Sequence, residues 1–123
     1  MMELYSGIDI LEISRMEKSL AHPNFAVRVF GARELAQYQN PPPSSSLAAA
    51  FCAKEAFAKA MGTGIRGFSL AEVELLHDSL GKPYLTFSGR AKELVKIRGL
   101  RFNVSLSHTS KLAIACVIAW KDS

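Results

Sequence analysis

Cysteine is scarce in this chain, and its placement excludes most of the chemistry that cysteine supports. Cys52 and Cys116 are the only two in 123 residues, both in apolar surroundings (AAAFCAKEA and LAIACVIAW), with no C-x-x-C and no Cys/His cluster. A disulfide framework and a structural zinc site are therefore excluded, and two buried thiols are expected. Neither thiol has a pair of basic neighbours to lower its pKa, Lys54 near Cys52 being the one cation close by. Long hydrophobic runs are also missing. The longest, Leu112 to Trp120, is nine residues, about half the ~20 that a membrane-spanning helix needs. The opening MMELYSGIDI has neither a basic n-region nor a long apolar h-region. The expectation is a cytoplasmic protein with no membrane contact. No segment repeats, and the one biased stretch, PPPSSS at 41–46, is a loop rather than a domain linker. Extremes of charge are absent too: Lys+Arg 15 against Asp+Glu 11 gives +4 with 21% charged residues, which excludes a disordered polyelectrolyte.

What remains is material for one core. With 49% hydrophobic residues and a mean hydropathy of +0.11, residues 1–123 are expected to form a single domain. The positive excess is uneven. Residues 91–123 carry six basic and two acidic side chains, while residues 1–40 carry four and five. Such a balance suits a phosphorylated small molecule, an acidic protein or a nucleic acid. Nucleic acid is not expected, because the aromatics are spread through core positions and no stacking platform appears.

Leu4 to Ile10 reads as a short buried strand weakened by Gly7. Ile13, Met16 and Leu20 recur at helical spacing from Glu12 to Leu20, and helical segments continue from Phe25 to Tyr38. The clearest helix runs from Leu47 to Met61, with Ser46 offered as its N-cap and Gly62 as its stop. Beyond the glycine-dense loop 62–67, Leu70 to His77 alternates as a strand and Tyr84 to Phe87 returns across a turn at Gly81. Ser88 is placed to cap a helix that runs through Arg98 and ends at Gly99. Strands at Phe102 to Leu106 and Leu112 to Trp120 follow. Their short connection requires antiparallel pairing, so the class is α+β, a largely antiparallel sheet packed against a long central helix.

Two carboxylates stand out. Asp9 interrupts an apolar strand, where it needs a cation, a hydrogen-bond network or exposure at the sheet edge, unless it caps the helix starting near Glu12. Glu55 lies in the best helix, four residues before Lys59, and is either half of an ordinary surface pair or, in register with Phe51, at the margin of the buried face. One carboxylate from a strand and one from a helix, completed by waters and phosphate oxygens, is how Mg²⁺ is commonly held. The loop Gly62-Thr63-Gly64-Ile65-Arg66-Gly67 can turn N–H groups toward an anion, although it matches neither a P-loop nor a dinucleotide fingerprint. Lys59 could neutralise a phosphate, and His108 sits among hydroxyls at a strand end. A Ser-His-Asp hydrolase is excluded, since Ser107 and His108 are adjacent in a strand and point to opposite faces.

Taken together, Gly7-Ile8-Asp9-Ile10, Phe51-Cys52-Ala53-Lys54-Glu55-Ala56-Phe57-Ala58-Lys59 followed by Gly62-Thr63-Gly64, Gly81-Lys82-Pro83, and Val104-Ser105-Leu106-Ser107-His108-Thr109 resemble the holo-[acyl-carrier-protein] synthases, the small bacterial 4′-phosphopantetheinyl transferases. The likeness covers essentially the whole chain. It implies that family's fold and the transfer of phosphopantetheine from coenzyme A to a serine of apo acyl carrier protein, with Mg²⁺ on the pyrophosphate. By this resemblance Asp9 and Glu55 are metal ligands and, with Lys59, catalytic. Lys54, Lys59, Gly62, Thr63, Gly64, Lys82, Pro83, Ser107, His108 and Thr109 attend coenzyme A. Arg15 and Arg28 match arginines that meet the carrier protein, and the assembly implied is a homotrimer with sites between subunits. Two departures stand out. Ala49-Ala50-Phe51 replaces the family's Gly-Arg-Phe, and PPPSSS replaces a basic loop, so coenzyme A would lean on Arg66, Lys54 or a C-terminal lysine. A relative that binds coenzyme A or carrier protein without turnover is the alternative.

Overall fold

The computed structural model describes residues 1–64 and 66–122. Its longest strands are β1 (Met2–Glu12) and β5 (Leu112–Asp122), paired antiparallel along their whole length from Met2 opposite Asp122 to Glu12 opposite Leu112. That pairing carries β1 past both ends of the Leu4 to Ile10 run that the residue pattern predicts. β4 (Arg101–His108) pairs antiparallel with the other edge of β5, giving the order β1-β5-β4. A separate antiparallel ribbon joins β2 (Val73–His77) to β3 (Pro83–Phe87).

Between the two sheets lies α4 (Ser44–Met61), 18 residues with buried positions on most of its circumference. Alternation makes this possible. Ala113, Ala115, Val117 and Ala119 on the inner face of β5 are fully buried, and their small side chains let the helix lie low on the sheet. Gly7 of β1 is the point of closest approach: a Cβ there would fall 1.9 Å from the carbonyl oxygen of Ala56. On the other side of the helix, the Phe57 ring meets Phe68, Phe87 of β3 and Phe102 of β4 at centroid distances of 5.5, 5.0 and 5.2 Å. One aromatic cluster thus ties both sheets to α4. Three short helices, α1 (Ile13–Leu20), α2 (Phe25–Val29) and α3 (Ala32–Leu35), lead from β1 to α4, and α5 (Gly89–Arg98) joins β3 to β4.

Three local expectations are corrected. The helix begins at Ser44, because the Pro43 carbonyl already accepts the Leu47 N–H (3.2 Å), so Ser46 lies inside the first turn rather than capping it. Leu70–Glu72 is a 3-10 turn, closed by the Glu72 carboxylate accepting the Ser69 N–H at 3.0 Å, and the strand starts only at Val73. Ser88 precedes α5 without a side-chain cap bond. The same Glu72 carboxylate serves that helix instead, accepting the Arg90 N–H at 3.1 Å.

Candidate active site

Asp9 lies on the inner face of β1, two residues beyond Gly7, so the close contact of Gly7 with Ala56 brings α4 alongside it. Asp9 is well inside the strand, which sets aside the helix-capping reading. The Lys59 ammonium stands 3.4 Å from Asp9 Oδ1 and donates to the Ile8 carbonyl at 2.8 Å. Lys59 is thus paired across elements with Asp9. Its side chain remains 55% exposed, and an exposed pair of this kind contributes about 1 kcal/mol at most. The ammonium can therefore turn to a ligand phosphate at little cost.

Glu55, half-buried on the same helix one turn before Lys59, has its carboxyl pushed above the usual range, first by burial and then by the negative charge of Asp9, with Lys59 opposing both. The Cys52 thiol, one turn earlier, is pushed up to about 12 by burial and then by Asp9, and its Sγ lies 3.5 Å from the Ala113 carbonyl. Both shifts are driven first by burial and second by the negative charge of Asp9, with Lys59 opposing them. The donor set is hard oxygen throughout, apart from a thiol that stays protonated. Among the described residues no group of three or more His, Cys, Asp and Glu could cage an ion. Two carboxylates with the remaining positions left to water and phosphate fit Mg²⁺, which keeps several waters.

Two strands away from Asp9, a cavity of about 620 Å³ opens between the first turns of α4, the end of β4 and the end of β2. Ser107 and His108 line it. Register links it to Asp9: Asp9 lies opposite Ala115, Ala115 opposite Leu106, and His108 two residues further on. Two strand spacings, roughly 10 Å, separate Asp9 from Leu106. Thr109 is committed to the β4–β5 turn, where its hydroxyl accepts the Lys111 and Leu112 N–H groups. Gly62, Thr63 and Gly64 follow α4 one turn past Lys59 and are exposed, with Gly62 left-handed at φ 77°. Ile65 of that loop lies outside the described residues. Gly81, Lys82 and Pro83 stand at the ribbon tip, where Asp78 Oδ1 accepts the Lys82 N–H, and Pro83 is paired across the ribbon with His77 of the cavity.

Lys54 is not brought to the site. It is fully buried, and its ammonium is bonded to Glu34 and to the Leu70 and Val73 carbonyls. Arg15 and Arg28 are exposed, and Arg15 borders a hollow of about 120 Å³ with Leu11, Met16, Phe25 and Phe51. The remaining cavity walls, Gln37, Tyr38, Ser45, Ser46, Leu75 and His77, were missed by sequence reasoning. His77, at the end of a strand like His108, carried the only available signal.

Comparison with known proteins agrees with this geometry. The family model of the 4′-phosphopantetheinyl transferase superfamily matches residues 6–117. A holo-[acyl-carrier-protein] synthase of Caldanaerobacter subterraneus is 41% identical, over 96% of this chain and 95% of the relative. One from Clostridium beijerinckii is 40% identical over 91% and 93%. Among solved structures, the Neisseria meningitidis synthase superposes with a TM-score of 0.85 at 34% identity, covering 94% of this chain and 96% of that one. The Bacillus anthracis enzyme, described as a complex with CoA (3′,5′-ADP), superposes with a TM-score of 0.81 at 31% identity over 99% and 100%. With the family model and near-full-length relatives in accord, the chain belongs to the 4′-phosphopantetheinyl transferase superfamily, among the holo-[acyl-carrier-protein] synthases.

Proposed function

We propose that this chain transfers 4′-phosphopantetheine from coenzyme A to a serine hydroxyl of apo acyl carrier protein, releasing adenosine 3′,5′-bisphosphate. The observation that carries this reading is the cluster of Asp9, Glu55 and Lys59 on β1 and α4, with a cavity of about 620 Å³ two strands away whose lining includes Leu106, Ser107 and His108 of β4. The serine oxygen attacks the β-phosphorus, its bond to the bridging oxygen breaks, and negative charge gathers on the departing phosphate. Asp9 and Glu55 would hold Mg²⁺, which when bound neutralises the pyrophosphate. Lys59 uses two of its three donors on Asp9 and Ile8, which leaves one for a phosphate oxygen. The work is positioning and electrostatics. The nucleotide end occupies the cavity, where His108, Ser107 and Ser46 offer donors in place of the family arginine at buried Ala50. A cytosolic location fits a reaction on coenzyme A; no helix among the described residues is long and apolar enough to cross a membrane.

The carrier protein would dock on the α1–α2 face through the exposed Arg15, which borders the small apolar hollow, and the exposed Arg28 of α2. The assembly would be a homotrimer. Its support is the outer face of the three-stranded sheet, where Leu4, Ile8 and Ile10 of β1 are 64%, 61% and 56% exposed beside Ile114, Ile118 and Trp120 of β5. Such a face calls for cover.

Mass spectrometry of an apo carrier protein incubated with coenzyme A and Mg²⁺ tests the function. The expected outcome is a phosphopantetheine adduct, abolished by chelation. It should fall about 100-fold in Asp9→Ala and Glu55→Ala proteins that stay folded. Binding of coenzyme A with no adduct would favour the non-catalytic alternative, and near-native turnover in either variant would remove the metal assignment.

A further inference from the structure

Lys54 and Glu34 form a fully buried ion pair on the far side of α4 from Asp9, 2.6 Å apart. We propose that this pair is a positioning device: it fixes the β2 wall of the 620 Å³ cavity relative to α4 and thereby sets affinity for the nucleotide end of coenzyme A without touching it. The inference rests on the transferase reading of that cavity.

Every polar group of the pair is committed. The Lys54 ammonium spends its three protons on Glu34 Oε1, the Leu70 carbonyl and the Val73 carbonyl. Glu34 Oε1 also accepts the Gly31 N–H (3.1 Å), and its Oε2 accepts the Leu75 N–H (2.9 Å). Its own N–H goes to Glu74 Oε2 at 2.8 Å. Gln37, one turn on, completes the pattern, with Nε2 donating to the Leu75 carbonyl (2.9 Å) and Oε1 accepting the His77 N–H (2.8 Å). Leu75 N–H, Leu75 C=O and His77 N–H lie along one edge of β2, where a neighbouring strand would otherwise bond. Two side chains of the α3 segment therefore act as a surrogate strand for that edge.

The geometry connects this stitching to the cavity. Gln37, Leu75 and His77 form one wall, while Ser45 and Ser46 of α4 face them. Lys54 belongs to α4 and Glu34 to the opposite wall's support, so the ion pair joins the two walls. Apolar packing alone would hold these elements together, since replacing a buried ion pair by matched apolar groups is often neutral or stabilising. Directional bonds supply something packing lacks. An ammonium with three fixed acceptors admits one placement of β2 against the helix.

The test is a Glu34→Gln/Lys54→Met double variant, which keeps side-chain length and removes both charges of a pair that lies outside the cavity lining, together with Gln37→Ala, which loosens the same wall at an exposed residue that itself lines the cavity, so that the double variant carries the decision. Thermal unfolding, amide exchange at Leu75 and His77, calorimetric binding of adenosine 3′,5′-bisphosphate, and steady-state transfer are measured on each. The expected result is faster exchange at both amides and a rise of about tenfold in the dissociation constant and in the KM for coenzyme A. The kcat and the carrier KM should stay within about twofold, and combining the variants should give less than the product of their effects. An unchanged KM for coenzyme A in folded variants overturns the proposal, as does a parallel loss of kcat and both KM values. If the wild-type protein binds the bisphosphate but transfers nothing, the transferase reading falls and the binding and exchange data still decide the role of the pair. A wild-type protein that binds no bisphosphate overturns both.

Discussion

Replacing Gly7 by alanine isolates the contact on which the site depends. A Cβ at this position would sit 1.9 Å from the Ala56 carbonyl oxygen, 2.8 Å from the Ala60 nitrogen and 2.9 Å from the Ala56 carbonyl carbon. These are backbone atoms of a buried helix and cannot rotate aside. For the oxygen to reach even 3.0 Å, β1 and α4 must separate by at least 1.1 Å. β1 is held by pairing with β5 along all eleven residues, and α4 is pinned from the opposite side by the Phe57 cluster, so the strain has no soft outlet. Overpacking of this kind costs about 1–3 kcal/mol, which for a domain of this size lowers Tm by roughly 4–12 °C. The functional cost is steeper. Asp9 rides on β1 and Glu55 on α4, and a displacement of about 1 Å between reacting groups costs on the order of 100-fold in rate. Gly99→Ala is the control, because its Cβ would enter open space and meets only the strain of a left-handed backbone at φ 65°, about 1–2 kcal/mol. Urea unfolding and single-turnover mass spectrometry should show Gly7→Ala losing both stability and rate, and Gly99→Ala losing stability alone. Adding Ala56→Gly should not rescue Gly7→Ala, since the clash is with the backbone. Gly7→Ala with native turnover and unfolding within about 0.5 kcal/mol of wild type would refute the reasoning.

Glu72 offers a pH test. Backbone N–H bonds, from Ser69 above all with Arg90 and Ala91 adding to it, hold its carboxyl below the ordinary 4.5 against the opposing effect of desolvation. A depressed folded pKa means that the stabilisation is complete above 4.5 and is lost as pH falls through the folded value. Glu72→Gln should therefore cost about 1 kcal/mol at pH 7, the worth of a capping bond, with the gap to wild type closing in acid. A gap independent of pH in urea titrations would contradict this. Thiol labelling reads the assembly. Cys52, buried and with its pKa near 12, should resist maleimide at pH 8. Cys116, half-buried on the outer face of β5, should be protected in a trimer and labelled once dilution dissociates it. Labelling of Cys116 at the rate of a free thiol at micromolar concentration, with light scattering of a monomer, would rule out the covered face.

The long elements were legible because their signals are periodic and locally self-consistent. α4 announces itself through alanine and a glycine stop, and β5 through an uninterrupted apolar run. Its two faces have different fates: small alanines accept the helix, while Ile114, Ile118 and Trp120 are left half-buried outside. The errors fall at boundaries set by side-chain partners. The local sign of the turn at Leu70–Glu72 is the Ser69-x-x-Glu72 spacing, and the Glu72 carboxylate turns the chain by serving Ser69 and α5 together. Ser46 has the residue type of a cap, but Pro43 supplies the first carbonyl of the ladder.

The site divides along the same line. Asp9, Glu55 and Lys59 were legible because a carboxylate in an apolar strand and one at the margin of a buried helix face are costly unless they meet a cation, and the structure brings all three together. Lys54 was misplaced for a related reason. A lysine next to Glu55 on the helix points about 100° away from it, and here that direction is the core, where Glu34, twenty residues before Lys54, bonds its ammonium and Glu74 adds further negative charge. Such a pairing has no local signature. Neither has the surrogate edge that Glu34 and Gln37 give to β2, since it depends on α3 and β2 meeting in space. The loop 41–46, read as a loss because it lacks the family's basic residues, has a further consequence. By starting α4 at Ser44 it puts Ser45 and Ser46 on the cavity wall across from His77 and His108. Where the resemblance implies a charged arginine and a basic loop, this chain presents hydroxyls and imidazoles. On the transferase reading, hydrogen-bond geometry at that wall does more of the work, and its placement matters accordingly.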